Sequence, residues 1–432
     1  MKRYFTNQVT LKSFLNFLNT FGSLTYLDNY NNKTECDVLF FCHDSDRGDQ
    51  LQGRAYSRFL NSISDKLEED GITCVHLSLP YSKLTNNAAA GNPSIYNRSY
   101  FKITLKCFIA KIFLKIGIKI FNPDKLNERV KLYHGIFGLL KPKYILCLGM
   151  PVELAIAAKA KNIPIAELLH GYGYAEVCWD YDKRSPDELP NYILCLDTTS
   201  KNTFSVLKQI SVNVLKVKDP WLSLFWGEPD KNSIPEEWYF PGDNIYSENK
   251  TILITLQWGY AGEYEQFNGI LENGLLPEKL LNIIQESGNS INWIIKPHPV
   301  QLRHNSFRFL QKWLENLSTQ NKNCHWREFL HIPLPSIIQN IDGHITMSSS
   351  SAFDCAFFGV KTLFLCPTLK PGGFYQNWFR ELFDPGYAEL GSDESFDLRK
   401  WVQNIERFTP LYSQEDSVDC IELIKKEISC VH

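Results

Sequence analysis

Trp293-Ile294-Ile295-Lys296-Pro297-His298-Pro299 is an apolar run that ends in a cation, an imidazole and two prolines. Downstream, His344-Ile345-Thr346-Met347 runs into four consecutive serines, Ser348, Ser349, Ser350 and Ser351, and then into a helix-like stretch over 351–359. Both segments have the form of a buried strand with a polar exit. Short apolar runs bounded by turn signals are how strands covered on both faces read, and such strands belong to parallel sheets flanked by helices. Taken singly, the first could be an ordinary strand exit, because proline has no N–H for the ladder. The second could be a plain helix cap. Together, in the same strand-to-loop context, they suit a phosphate. Lys296 and His298 offer donors at one strand end, and the serines offer hydroxyls and backbone N–H groups at a helix start. Strand C-terminal ends are where ligands bind in open parallel sheets, so the pair reads as a nucleotide site.

Outward from this pair, strand and helix alternate through the whole chain. In the second half, residues 251–256, 291–295, 343–347 and 362–365 read as strands. Residues 276–286, 307–317, 334–339, 398–408 and 417–428 read as helices. In the first half the strands are 36–42, 72–79, 144–148, 163–168 and 192–196, with helices over 55–70 and 152–161. This alternation builds right-handed βαβ units. Residues 218–249 are rich in Pro, Gly and Trp, lack a period and read as a linker. The expected organisation is two doubly wound parallel-sheet domains, 1–217 and 250–395, with C-terminal helices over 396–432.

Composition bounds the function. A chain of 432 residues with 44% apolar and 22% charged residues is ordinary for a globular protein of two or three domains. A net charge of −3 argues against a general nucleic-acid binder. None of the twelve cysteines forms a C-x-x-C pair, and several sit inside apolar runs. They read as small buried hydrophobes in a reducing compartment, with no zinc pattern. No signal-peptide core and no apolar run long enough to span a bilayer is evident. The expected location is cytoplasmic. Residues 101–121 carry Lys102, Lys106, Lys111, Lys115 and Lys119 among Ile, Leu and Phe, with no acid. This reads either as a half-buried domain helix or as a basic amphipathic helix on the inner face of the inner membrane.

Candidate chemistry lies at the strand ends. Neither half has a G-x-G-x-x-G or a G-x-x-x-x-G-K-[ST] motif, which argues against dinucleotide and P-loop sites. His170 follows a strand within His170-Gly171-Tyr172-Gly173, and histidine is matched to proton transfer near neutral pH. It is the candidate base, with Glu153 at a helix start as the alternative base or nucleophile. A helix dipole is itself a sufficient structural reason for Glu153. Asp44, Asp46 and Arg47 form a charged loop after the first strand and are acceptor-side candidates, as are Gly171 and Glu176. Gln257, after the 251–256 strand, is a donor-side candidate. Glu68-Glu69-Asp70-Gly71 reads as a solvated helix end.

Lys-Pro-His-Pro at a strand exit, the later serine cluster and His170-Gly171 resemble bacterial GT-B glycosyltransferases of surface polysaccharides. That group includes Kdo and sialic-acid transferases using CMP-sugars and CDP-glycerol polymerases of the teichoic acid type. The resemblance covers mainly residues 290–366, with support from 144–200. It implies a GT-B-like α/β fold and a nucleotide-sugar donor, CMP-Kdo or a related CMP-ulosonic acid. It also implies a growing lipopolysaccharide or capsule glycan, free or lipid-linked, as acceptor. It places phosphate binding on His298 and on Ser348 to Ser351. No cofactor is expected, and no Asp-x-Asp metal motif is evident, so Lys296 and His298 would stand where Mg²⁺ does elsewhere. A UDP-sugar epimerase of the same fold and a non-catalytic glycan-binding protein are the rival readings.

Overall fold

The computed structural model describes residues 21–115, 124–226, 234–241, 249–260, 262–271, 274–288, 290–303, 307–392, 396–411 and 417–430. Strand β1 (Val38–Cys42) is buried along its whole length. Val38, Phe40 and Cys42 pack with Leu60, Ile63 and Leu67 of the helix Leu60–Glu69. Leu39 and Phe41 pack with Tyr133, Ile136 and Phe137 of the helix Lys125–Leu140. A strand covered on both faces can be apolar at every position, which is why 36–42 reads as a run and not as an alternation. Each of these aromatic side chains contributes on the order of 2 kcal/mol through burial.

After β1 come a small antiparallel hairpin, β2 (Asp49–Leu51) and β3 (Arg54–Tyr56), then β4 (Cys74–Ser78), β5 (Tyr144–Cys147), β6 (Ile165–Leu168), β7 (Tyr192–Cys195) and β8 (Asn213–Lys216). The first sheet has the order β4-β1-β5-β6-β7-β8, all parallel. The second is built from β9 (Lys250–Thr255), β10 (Ile291–Lys296), β11 (Cys324–His325), β12 (Gly343–Thr346), β13 (Lys361–Phe364) and β14 (Ala388–Leu390). Its order is β11-β10-β9-β12-β13-β14, again all parallel. In the first sheet the strand order reverses at β1/β5, in the second at β9/β12. Such reversals open a crevice at the C-terminal ends.

Several expectations are corrected. The helix expected over 55–70 begins only at Leu60. Gln52 and Gly53 take φ of +50° and +70°, the two positive values of a tight hairpin turn, and this pairs Leu51 with Arg54. The helix Lys125–Leu140, β8, β11 and β14 were not anticipated, being short or lying beside the lysine-rich stretch. Glu69 and Asp70 do close the helix Leu60–Glu69, ahead of Gly71 at φ +79°. Glu69 pairs with Lys66 at 2.7 Å and Asp70 with Lys425 at 2.8 Å.

The two sheets are tied together. Tyr172 stacks on Phe353 with centroids 4.8 Å apart. Glu381 accepts from Thr199 N and Oγ1 at 2.9 and 2.7 Å. Of the expected linker, the described residues 218–226 and 234–241 include Trp221 and Trp238, which are buried and pack on Tyr56 of the first half. The helix Leu398–Asn404 packs on the second sheet, whereas Cys420–Cys430 returns to the first, where Glu427 accepts from Tyr192 at 2.8 Å.

Candidate active site in the cleft between the sheets

A cavity of about 300 Å³ lies between the C-terminal ends of the two sheets. From the first half its walls are the β1 exit with Asp46 and Asp49, then Arg58, Phe59 and His170. From the second half they are Thr255, the segment Lys296 to Val300, Ser349 to Ser351 and Asp354.

The serine wall is held from beneath by a chain of hydrogen bonds. The ring of His344 on β12 touches Thr362 Oγ1 on β13 and Thr255 Oγ1 on β9, each at 2.9 Å. Thr255 Oγ1 meets Ser351 Oγ at 3.0 Å, and Ser351 Oγ donates to Ser349 Oγ at 2.9 Å. Burial lowers the His344 pKa to about 3, so the ring is neutral and serves as a fixed strut. Ser348 and Gln257 do not line the cavity. Ser348 N donates to Gln257 Oε1 at 2.7 Å and Gln257 Nε2 donates to Ser348 O at 3.1 Å. They lock each other and set the turn. The helix after the serines is only Ser351–Phe357. Two turns give a weak dipole, so hydroxyls and side-chain donors dominate here, contrary to the expected helix-start site.

His298 lines the cavity with a defined tautomer. Its Nδ1 accepts the Val300 N–H at 3.1 Å, which assigns the proton of the neutral ring to Nε2. Lys296 is different from its expected role. Its ammonium donates to the carbonyls of Phe329, Leu330 and Ile332 at 3.0, 3.3 and 2.8 Å. All three protons are committed, so Lys296 pins the 326–332 loop and reaches a ligand only as a nearby charge. Burial brings its pKa down to about 8.

On the opposite wall, His170 is exposed to the cleft, 5.7 Å from the Trp179 ring centroid. Its ring makes no hydrogen bond to another described residue. Desolvation lowers its pKa below the ordinary 6.5, with Arg58 and His43 adding to this and Asp46 opposing. The imidazole is therefore largely unprotonated at neutral pH. Asp46 shares this wall.

The other first-half candidates are turned elsewhere. Glu153 is buried, 3.1 Å from Arg129 and 3.0 Å from the Tyr100 hydroxyl, between three helices. Asp44 accepts from Ser82 Oγ and Lys83 N, tying its turn to the loop after β4. Arg47 is only 2% exposed and donates to Ala90 O. A Cβ on Gly171 would meet the Tyr174 hydroxyl at 2.9 Å, so a larger residue there would have to displace that side chain. Glu176 is exposed outside the cavity wall. Arg58, Asp49, Thr255 and Asp354 are cavity residues that sequence reasoning missed. No motif marks them, because the hairpin and the sheet register bring them in.

This geometry defines a class: two parallel-sheet α/β domains facing a cleft, the GT-B architecture. No family model and no curated protein matches the chain. Among solved structures it is similar to the wall teichoic acid polymerase TagF, solved as a histidine-to-alanine variant. That match has a TM-score of 0.53 at 13% identity over 97% of this chain and 99% of that one. Weaker similarities include UDP-GlcNAc 2-epimerase from Methanocaldococcus jannaschii, with TM-score 0.49 and 13% identity over 91% and 98% of the two chains. MurG from Acinetobacter baumannii gives 0.48 and 12% over 90% and 99%. At such identities the likeness is one of fold.

Proposed function

We propose that the chain is a glycosyltransferase that moves a sugar from a nucleotide donor to a glycan. The observation that carries this is the facing of His170 by His298 and Ser349 to Ser351 across one cavity, a proton acceptor opposite a set of anion donors. The second half takes the nucleotide phosphate. Nε2–H of His298 and the serine hydroxyls meet negative charge as it grows on the leaving phosphate. The bond from the anomeric carbon to the phosphate oxygen breaks, and its electron pair goes to that oxygen. An acceptor hydroxyl oxygen bonds to the anomeric carbon, and its proton passes to His170. The motif resemblance adds a finer reading: the donor is CMP-Kdo or another CMP-ulosonic acid, and the acceptor is a surface glycan or its lipid-linked form.

Calorimetry with CMP, CDP, UDP and GDP tests the donor site. His298→Ala is expected to weaken the preferred nucleotide by roughly 1–3 kcal/mol, the scale of one lost charge-assisted bond. Unchanged affinity removes His298 from the site. Release of an epimerised free sugar without acceptor would favour the epimerase reading instead.

The same reading places the chain at the inner leaflet. In the helix Asn97–Lys115, Tyr100, Cys107 and Ala110 face inward, whereas Ile109, Ile112 and Phe113 are 43%, 46% and 38% exposed. Lys102 and Lys111 on this helix are exposed, and the helix has no acid; Lys119 lies outside the described residues. Helices apolar on both faces need a second apolar partner. None of the described helices is long and apolar enough to cross a membrane. Co-sedimentation with phosphatidylglycerol vesicles at low salt is expected for wild type. Lys102→Gln with Lys111→Gln should weaken it by about 1 kcal/mol per lysine. A wild type that stays in the supernatant would make this an ordinary domain helix.

A further inference from the structure

Arg58 is the cavity cation that the sequence motifs do not mark. It stands just before the helix Leu60–Glu69, brought to the cleft by the β2–β3 hairpin. Its guanidinium lies over the Phe59 ring, 4.5 Å from the centroid. Its ion-pair contact crosses to the second half: Nη1 is 3.5 Å from Asp354 Oδ2, beyond good hydrogen-bond length. Asp354 is 2% exposed and its Oδ1 has no hydrogen-bond partner among the described residues. The other cation on the wall, Lys296, has spent its protons on three carbonyls.

We propose that Arg58 binds a second anionic group of the donor, one beyond the phosphate that meets His298 and the serines, and so selects doubly anionic donors. Such a group is either a carboxylate on the sugar next to its anomeric carbon or a second phosphate. Both match the planar fork of a guanidinium, which binds two oxygens at once. Placed on the first half while the serines stand on the second, Arg58 would let one donor bridge the two domains. The Asp354 contact is the resting partner. Its loss is tolerable because burial, together with Asp219 and Asp49, raises the Asp354 pKa to about 7 against the pull of Arg58. Once Arg58 turns to the ligand, that carboxyl can take a proton instead of remaining a bare buried charge.

This inference rests on the nucleotide-donor reading, and the experiment separates the two. Wild type, Arg58→Ala and Arg58→Lys are titrated calorimetrically with CMP, CDP and a CMP-ulosonic acid. Arg58→Ala is expected to weaken one or both doubly anionic ligands by roughly 10- to 100-fold while changing CMP by no more than about threefold, with Arg58→Lys recovering part of the loss. Loss confined to the ulosonic acid identifies the carboxylate, and loss confined to CDP the second phosphate. Equal losses on all ligands would make Arg58 a structural tie to Asp354, and no loss would remove it from the site. Either result overturns the proposal. An Asp354→Asn variant, which also breaks the tie, should leave the discrimination intact if Arg58 acts on the ligand. Failure of wild type to bind any nucleotide would sink the donor reading itself.

Discussion

His170→Ala is expected to lower kcat by about 10²–10⁴, the range for removing a positioned general base, with nucleotide affinity nearly unchanged. The ring stands at the C-terminal end of β6 and opens onto the cavity beside Asp46. The ring makes no hydrogen bond to another described residue, so its nitrogens are available to an acceptor hydroxyl. The sign of its pH dependence follows. A base works deprotonated, and desolvation by the cleft walls lowers the His170 pKa below 6.5. The acid limb of kcat/KM should therefore fall below pH 6.5, and it should vanish in the variant. Glu153→Gln is the control. Its partners are Arg129 and Tyr100, outside the cavity wall, so it should cost stability and leave turnover intact. Full turnover in His170→Ala, or its loss in Glu153→Gln, would move the base to another residue.

Lys296→Met should destabilise the fold by about 3–5 kcal/mol, because the part-buried carbonyls of Phe329, Leu330 and Ile332 lose their shared charged donor at once. Methionine keeps the apolar stem, so the effect isolates the ammonium. The loss should appear as a lower thermal midpoint. Below the transition, nucleotide affinity should fall less than in His298→Ala. A variant of unchanged stability that no longer binds nucleotide would show that the ammonium serves the ligand and not the 326–332 loop.

These two residues also mark how far the chain could be read unaided. Lys296 and His298 sit two apart at one strand exit, and both were candidates for phosphate. Which of them faces the ligand depends on where the 326–332 carbonyls fold. Those carbonyls lie far along the chain and carry no side-chain signal. The His344–Thr255–Ser351 relay was hidden for the same reason. Its base, His344 with Thr255 and Thr362, belongs to three neighbouring strands, and only the register of β12 with β9 and β13 puts these side by side beneath Ser351. Glu153 and Asp44 misled because a carboxylate at a loop or helix start looks alike whether it faces a cleft or a neighbouring helix.

What the sequence by itself determined is the alternation of buried strands and helices, hence two parallel sheets, and the strand exits at which a ligand would sit. That information is local: a strand covered on both faces must be apolar throughout, and proline, glycine and serine punctuate its end. What only the tertiary structure decided is which polar groups meet. Arg58 and Asp354, or His170 and His298, stand on opposite halves, and nothing in their own segments records the other. Their meeting depends on the docking of the two sheets through Tyr172 on Phe353 and through Glu381 on Thr199. That docking comes from contacts between residues remote in sequence, whose side chains satisfy one another only once both sheets have formed.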